Sequence, residues 1–187
     1  MQSLVTFANL IDGFLRRLAH TTGWLFLVAI VIICFDVFTR KIGYQLPYFT
    51  STRLQELEWH VTSTLFLSWL AYGMIKNTHV RIDVFTGVLE QRKKDWIDLF
   101  GCIVFALPYT LVILPYVYSY AATSWSYWER SDAPNGLPAL YIIKSIMAFG
   151  FTTVLLATLS IMARKIVDLF GPPGLHSKSN SMEGVEI

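Results

Sequence analysis

Charge is scarce in this 187-residue chain: acidic and basic residues together make up 15% of it, whereas 54% is hydrophobic. Soluble domains average roughly 25% charged residues, so the composition excludes an ordinary water-facing globule. Cysteine is almost missing. Cys34 and Cys102 both fall inside long apolar stretches, which suits small-side-chain packing and excludes a disulfide framework or a thiolate metal cluster. The many alternating ten-residue segments of a membrane barrel are absent. So are a phosphate-binding glycine loop, a metal-ligand spacing and a nucleophile elbow, and no enzyme is expected. With a formal net charge of +2, the chain has no nucleic-acid footprint.

What the chain does have is apolar length. Four stretches, at about 22–39, 58–76, 95–120 and 139–163, reach the roughly 20 residues that a helix needs to cross a 30 Å hydrocarbon layer. Each is apolar around its circumference, as a bilayer-embedded helix must be. The sequence therefore predicts an all-α membrane protein with four transmembrane helices in residues 21–165. The stretch after Arg16 and Arg17 lacks a small-residue cleavage site and is expected to be a retained helix. Orientation follows from Lys and Arg near the span ends. Arg16, Arg17, Lys76, Arg81, Arg92, Lys93, Lys94, Arg164, Lys165 and Lys178 lie on one side. Against those ten stand four: Arg40, Lys41, Arg53 and Arg130. Both termini are expected in the cytoplasm.

The segments outside the spans carry their own signals. Within residues 1–20, Leu4, Phe7, Ala8, Ile11, Leu15 and Leu18 recur at helical spacing, with Asn9, Asp12, Arg16 and Arg17 opposite. This predicts an amphipathic interfacial helix. Arg16, Arg17, Arg92, Lys93 and Lys94 are candidate anchors to lipid phosphates. Glu56 and Glu58 are placed to start the second spanning helix, where acidic groups complement the dipole, and a weak bridge from Arg40 to Glu56 is conceivable. The connection Asn77–Phe85 carries His79, Arg81 and Asp83, with Asp83 a candidate helix cap. Pro108 and Pro115 predict kinks in the third span. Tyr116, Tyr118, Tyr120, Trp125, Tyr127 and Trp128 form an aromatic belt at its far end. Residues 166–187, with Gly171-Pro-Pro-Gly and a Ser-rich end, predict a flexible cytoplasmic tail.

Charges inside spans are functional candidates by default. Asp36 and Lys144 both fall toward the outer, non-cytoplasmic ends of their spans, where pairing and independent snorkelling are the two options. Two functions can be weighed on these residues alone. A haem- or quinone-binding redox subunit is motivated by His20, His79 and the aromatics, although neither histidine lies at core depth. A proton-coupled exporter would use Asp36. The spans show no repeat and few polar residues at mid-depth, which disfavours an autonomous carrier.

The run Leu70-Ala-Tyr-Gly-Met-Ile-Lys-Asn-Thr-His-Val-Arg-Ile-Asp-Val-Phe85 resembles a recurrent pattern of one family, in which a second span leads directly into His-Val-Arg-Val-Asp. That family is the small membrane subunit of tripartite ATP-independent periplasmic (TRAP) transporters. Arg40, Gln55-Glu56-Leu57, Trp128-Glu129-Arg130-Ser131, Gly136-Leu137-Pro138 and Lys144 are similar to its other marks, and the likeness runs from about residue 20 to 165. Ile82 replaces the usual valine, and Tyr44–Arg53 is longer than in many relatives. The resemblance implies a scaffold subunit in the bacterial inner membrane. Its partners would be a large membrane subunit, which moves an organic acid with sodium ions, and a periplasmic substrate-binding protein. It implies no cofactor in this chain. Arg40, Glu56, Glu58, His79, Arg81, Asp83 and Glu129 become candidates for holding loops or touching those partners.

Overall fold

The computed structural model describes residues 1–43, 47–78 and 89–172, and all regular structure among them is helical. Six α-helices follow in order: α1 (Gln2–Gly23), α2 (Leu25–Ile42), α3 (Ser51–Ile75), α4 (Gln91–Gly101), α5 (Leu107–Ser126) and α6 (Leu140–Phe170). The backbone at Trp24, between α1 and α2, stays in the right-handed helical region. A π-turn, Cys102–Ala106, joins α4 to α5.

Among the described residues, three stretches are long and apolar enough to cross a bilayer: Gln2–Ile42, Gln91–Ser126 and Leu140–Phe170. The sequence predicts four. The fourth predicted span lies over α3, whose 25 residues suffice in length; its first half carries Arg53, Glu56, Glu58 and His60, and residues 64–75 carry no charge.

The two prolines act differently. Pro108 has no amide hydrogen, and its ring crowds the carbonyl of Val104 four residues earlier. In the π-turn just before it, the Leu107 amide reaches back to the Cys102 carbonyl, a wider ring that relieves this crowding. Pro115 lies inside α5, which runs on to Ser126.

The chain groups into two compact units, and α1, α3, α5 and α6 each contribute residues to both. The first comprises Met1–Arg16, Leu70–Ile113 and the described part of Thr152–Ile187. Its core sets Ile11 and Leu15 of α1 against Ala71 of α3 and Val154 and Ala157 of α6, with Met74 and Ile75 partly buried around them. Ala71 and Ala157 are fully buried. Such small side chains let helix backbones approach closely, which matters where lipid is as apolar as the core.

The second unit comprises Arg17–Trp69 and Leu114–Phe151. Of α2 only Ala29 and Asp36 are buried, while Val31, Val37 and Phe38 are exposed. That pattern is expected of a lipid-facing helix, for which exposure carries no penalty in hydrocarbon. The Trp69 indole donates to the carbonyl of Ala19 at 3.0 Å. Gly150 lets α3 and α6 meet, since a Cβ there would lie 2.9 Å from the Cβ of Leu67.

Candidate functional site

In the second unit, α3 grips the loop between α5 and α6. Glu56 accepts hydrogen bonds from the Ser131 hydroxyl and, at 2.5 Å, from the Leu137 amide. Arg53, one turn earlier, donates from Nε to the Asn135 carbonyl at 2.9 Å and from its guanidinium to the Tyr48 carbonyl at 3.0 Å. The loop also fastens itself. Ser131 donates its amide to the Leu137 carbonyl at 3.2 Å, and its hydroxyl accepts from the Ala133 amide at 3.1 Å. Gly136 is required for space: a Cβ there would fall 2.4 Å from the Ser131 hydroxyl oxygen and 2.8 Å from Glu56. Arg130, Asp132, Pro134 and Asn135 remain exposed on the loop so held.

The loop's ends are set by backbone conformation. α5 ends with the Glu129 amide bonded to the Ser124 carbonyl and the Trp128 amide to the Trp125 carbonyl, a Schellman arrangement. Trp128 therefore sits at φ 48°, where glycine is usual. Its ring meets Trp125 and Tyr141 at centroid distances of 5.9 and 5.5 Å, and Trp125 stacks on Tyr141 at 4.3 Å. Aromatic contacts worth about 0.5–1.5 kcal/mol each offset the backbone strain. At the other end Ala139, before α6, is also left-handed at φ 74°.

Lys144 and Glu129 close the same structure. The Lys144 ammonium lies 2.5 Å from Glu129 and 3.9 Å from the centre of the Tyr120 ring. Its hydrogen bond holds the Glu129 carboxyl below the usual carboxylate range. Asp36, only 2% exposed, takes the Arg40 guanidinium one turn along α2 and the Ser51 hydroxyl at 2.9 Å.

These contacts decide three points that the sequence left open. Asp36 and Lys144 do not pair with each other, because each has a nearer partner of opposite charge. Arg40 does not bridge to Glu56: it is taken by Asp36, at the i,i+4 spacing that orders least chain. Glu56 and Glu58 do not start α3, which begins at Ser51 and has no acid in its first turn. Glu58 instead keeps one buried carboxylate oxygen that has no hydrogen-bond partner among the described residues. His79, Arg81 and Asp83 lie outside the described residues.

A second cluster belongs to the first unit. Arg164 of α6 donates to Asp12 of α1 through Nε at 2.9 Å and through a terminal nitrogen, which also reaches Asn9 at 2.9 Å. The Ser160 hydroxyl donates to the other Asp12 oxygen at 2.5 Å. Next along α6, Lys165 meets Asp95 at 2.7 Å and Asp98 at 3.2 Å, both on α4. Asp12, expected on the wet face of α1, is thus 7% exposed and turned inward. The reason is the cation on α6, which compensates an otherwise costly burial. Of the anchor candidates, Arg16, Arg17, Arg92 and Lys93 are exposed and Lys94 is half-buried.

Sequence reasoning missed Arg53, Ser51 and Ser131 as well as the whole Asp12 cluster. Arg53 could have been found from its i,i+3 spacing to Glu56, and Ser131 from its place in Trp128–Ser131. Asp12 and Arg164 offered no such signal, being 152 residues apart in the chain.

Chemically, both clusters are fasteners. Apart from Glu58, their charged members are satisfied by neighbours in the same chain, and the serine hydroxyls beside Glu56, Asp36 and Asp12 donate to carboxylates that are themselves tied to other groups. A groove of about 290 Å³ in the second unit is lined mainly by Leu57, Val61, Pro138, Ile142, Ile143 and Ile146. Its two polar residues, His60 and Thr64, bond along their own helix, to the carbonyls of Glu56 and His60.

Among family models, that of the tripartite ATP-independent periplasmic transporters, DctQ component, matches residues 29–168. No curated protein and no solved structure matches the chain. A match over most of the length, on a helical chain with three bilayer-length apolar stretches, replaces the redox and exporter readings. The chain belongs to the DctQ family of TRAP transporter small subunits: an inner-membrane transporter component, not an enzyme.

Proposed function

We propose that this chain is the static scaffold subunit of an importer that carries an organic acid with sodium ions, working with a large membrane subunit and a periplasmic substrate-binding protein. Sodium coupling resides in the large subunit, and this chain holds no cofactor. Four spans (α2, α3, the α4–α5 rod and α6) cross the bilayer with both termini in the cytoplasm. The 131–137 loop then faces the periplasm. That loop, together with Arg40 and Glu129, meets the binding protein, and the connection bearing His79, Arg81 and Asp83 meets the large subunit.

The observation that carries this reading is the charge along α6. Between Lys144 and Arg164 no residue is charged, and the rise from one to the other is about 30 Å, the hydrocarbon thickness. Both cations are spent on carboxylates of the same chain, Glu129 and Asp12. Groups committed to internal fastening hold a fixed shape and are not free to pass a solute.

The test is to express the chain with and without its two partners and to measure uptake in reconstituted vesicles. Uptake is expected only with all three components present, and the chain should co-purify with the large subunit. Reporter fusions at each terminus should register the cytoplasm. Solute or ion flux through the isolated chain would refute the scaffold role.

A further inference from the structure

In the first unit the acids of α1 and α4 are consumed by α6: Asp12 by Arg164 and Ser160, and Asp95 and Asp98 by Lys165. This leaves basic side chains over. Arg16, one turn beyond Asp12, and Arg92, one turn before Trp96, are exposed and have no ion-pair or hydrogen-bond partner among the described residues. Among the described residues Lys93 approaches only Glu90, at 3.7 Å, with both side chains more than half exposed. Such a pair contributes little.

The exposed stripe of α4 changes character within a single turn. Arg92 and Lys93 are followed by Trp96 and Ile97, 48% and 49% exposed, and then by Phe100 at 61%. Asp95 and Leu99 occupy the buried face between them. The Trp96 ring is fixed edge-on against Phe170, at a centroid distance of 5.6 Å. An acidic protein segment would neutralise the cations yet leave the apolar turn beside them uncovered. A bilayer edge supplies both covers about one helical pitch apart, phosphate at the level of the basic turn and acyl chain at the level of the apolar one.

We propose that Arg92 and Lys93 of α4 form a docking surface for the headgroups of anionic phospholipids, and that Trp96 marks the boundary between headgroup and acyl chain. This rests on the membrane reading above and goes beyond it by naming the lipid class.

The test reconstitutes the full chain in phosphatidylcholine bilayers containing phosphatidylglycerol and compares the association of spin-labelled forms of the two lipids. Wild-type protein should favour labelled phosphatidylglycerol, and R92Q/K93Q should reduce that preference about fivefold for each charge removed. Raising salt to about 0.5 M should reduce it in the unaltered protein, which requires no variant to fold. K41Q, altered in the second unit, should keep the full preference. An integrated wild-type protein without preference, or a preference that survives both R92Q/K93Q and salt, overturns the proposal. Failure to float with the vesicles would sink the membrane reading itself.

Discussion

Glu56 is where the scaffold reading is most exposed to experiment. Glu56→Ala removes the acceptor of two hydrogen bonds, from the Ser131 hydroxyl and the Leu137 amide. Hydrogen bonds to a charged group are worth about 1.5–3 kcal/mol each. Glu56, Ser131 and Leu137 are half-buried rather than sealed, so water recovers part of the loss, and about 2 kcal/mol of local stability should disappear. Amide exchange in detergent or bilayer reads this directly: residues 131–137 should exchange about 30-fold faster, because 1.4 kcal/mol is a factor of ten in a local opening equilibrium. Glu56→Gln keeps one acceptor oxygen without the charge and should fall between the two. The first unit should be unaffected. If the loop is the docking surface, uptake by the complete transporter should weaken through the apparent affinity for the loaded binding protein, with the co-purified large subunit unchanged. Unaltered exchange of the Leu137 amide in Glu56→Ala would refute the clamp.

Arg164→Met should destabilise the chain by about 3 kcal/mol in denaturant titration, since it strands a buried Asp12 that keeps only the Ser160 hydroxyl. Adding Asp12→Leu should recover most of that loss, and an additive double variant would argue against the pair. Gly136→Ala should loosen the 131–137 loop as much as Glu56→Ala does, by forcing Ser131 and Glu56 off the new Cβ, visible in the same exchange measurement. Because the folded Glu129 carboxyl is held below its usual range, the Lys144 contact should persist above the ordinary carboxylate value of about 4.3 and be lost as pH falls through the lower, folded value. Tryptophan fluorescence from Trp125 and Trp128 should report that acid transition, and Glu129→Gln should abolish it.

Several features were legible before any coordinates. Apolar runs too long for a soluble core can only be helices in a bilayer, because every backbone amide must be satisfied within its own segment. The i,i+4 spacing of Asp36 and Arg40 also sits in the sequence, although pairing with Lys144 competes with it on paper. The Schellman end of α5 was hidden because it places Trp128, not glycine, in the left-handed position. Its signal was the cluster of aromatic residues, which read equally well as a membrane-edge belt.

The linear chain alone determined the helical class, the membrane as solvent and the family, since these follow from composition, run length and short ordered motifs. Only tertiary structure decided which charges face each other. Helical periodicity assigns Asp12 to a polar side of α1, but it cannot know that Arg164 stands opposite, and a buried carboxylate is tolerable only where a distant cation meets it. The same holds for Glu56, whose place in α3 suggests a helix start until the loop it grips is brought alongside. Local pattern governs what each segment is; the pairing of segments governs what its polar residues do.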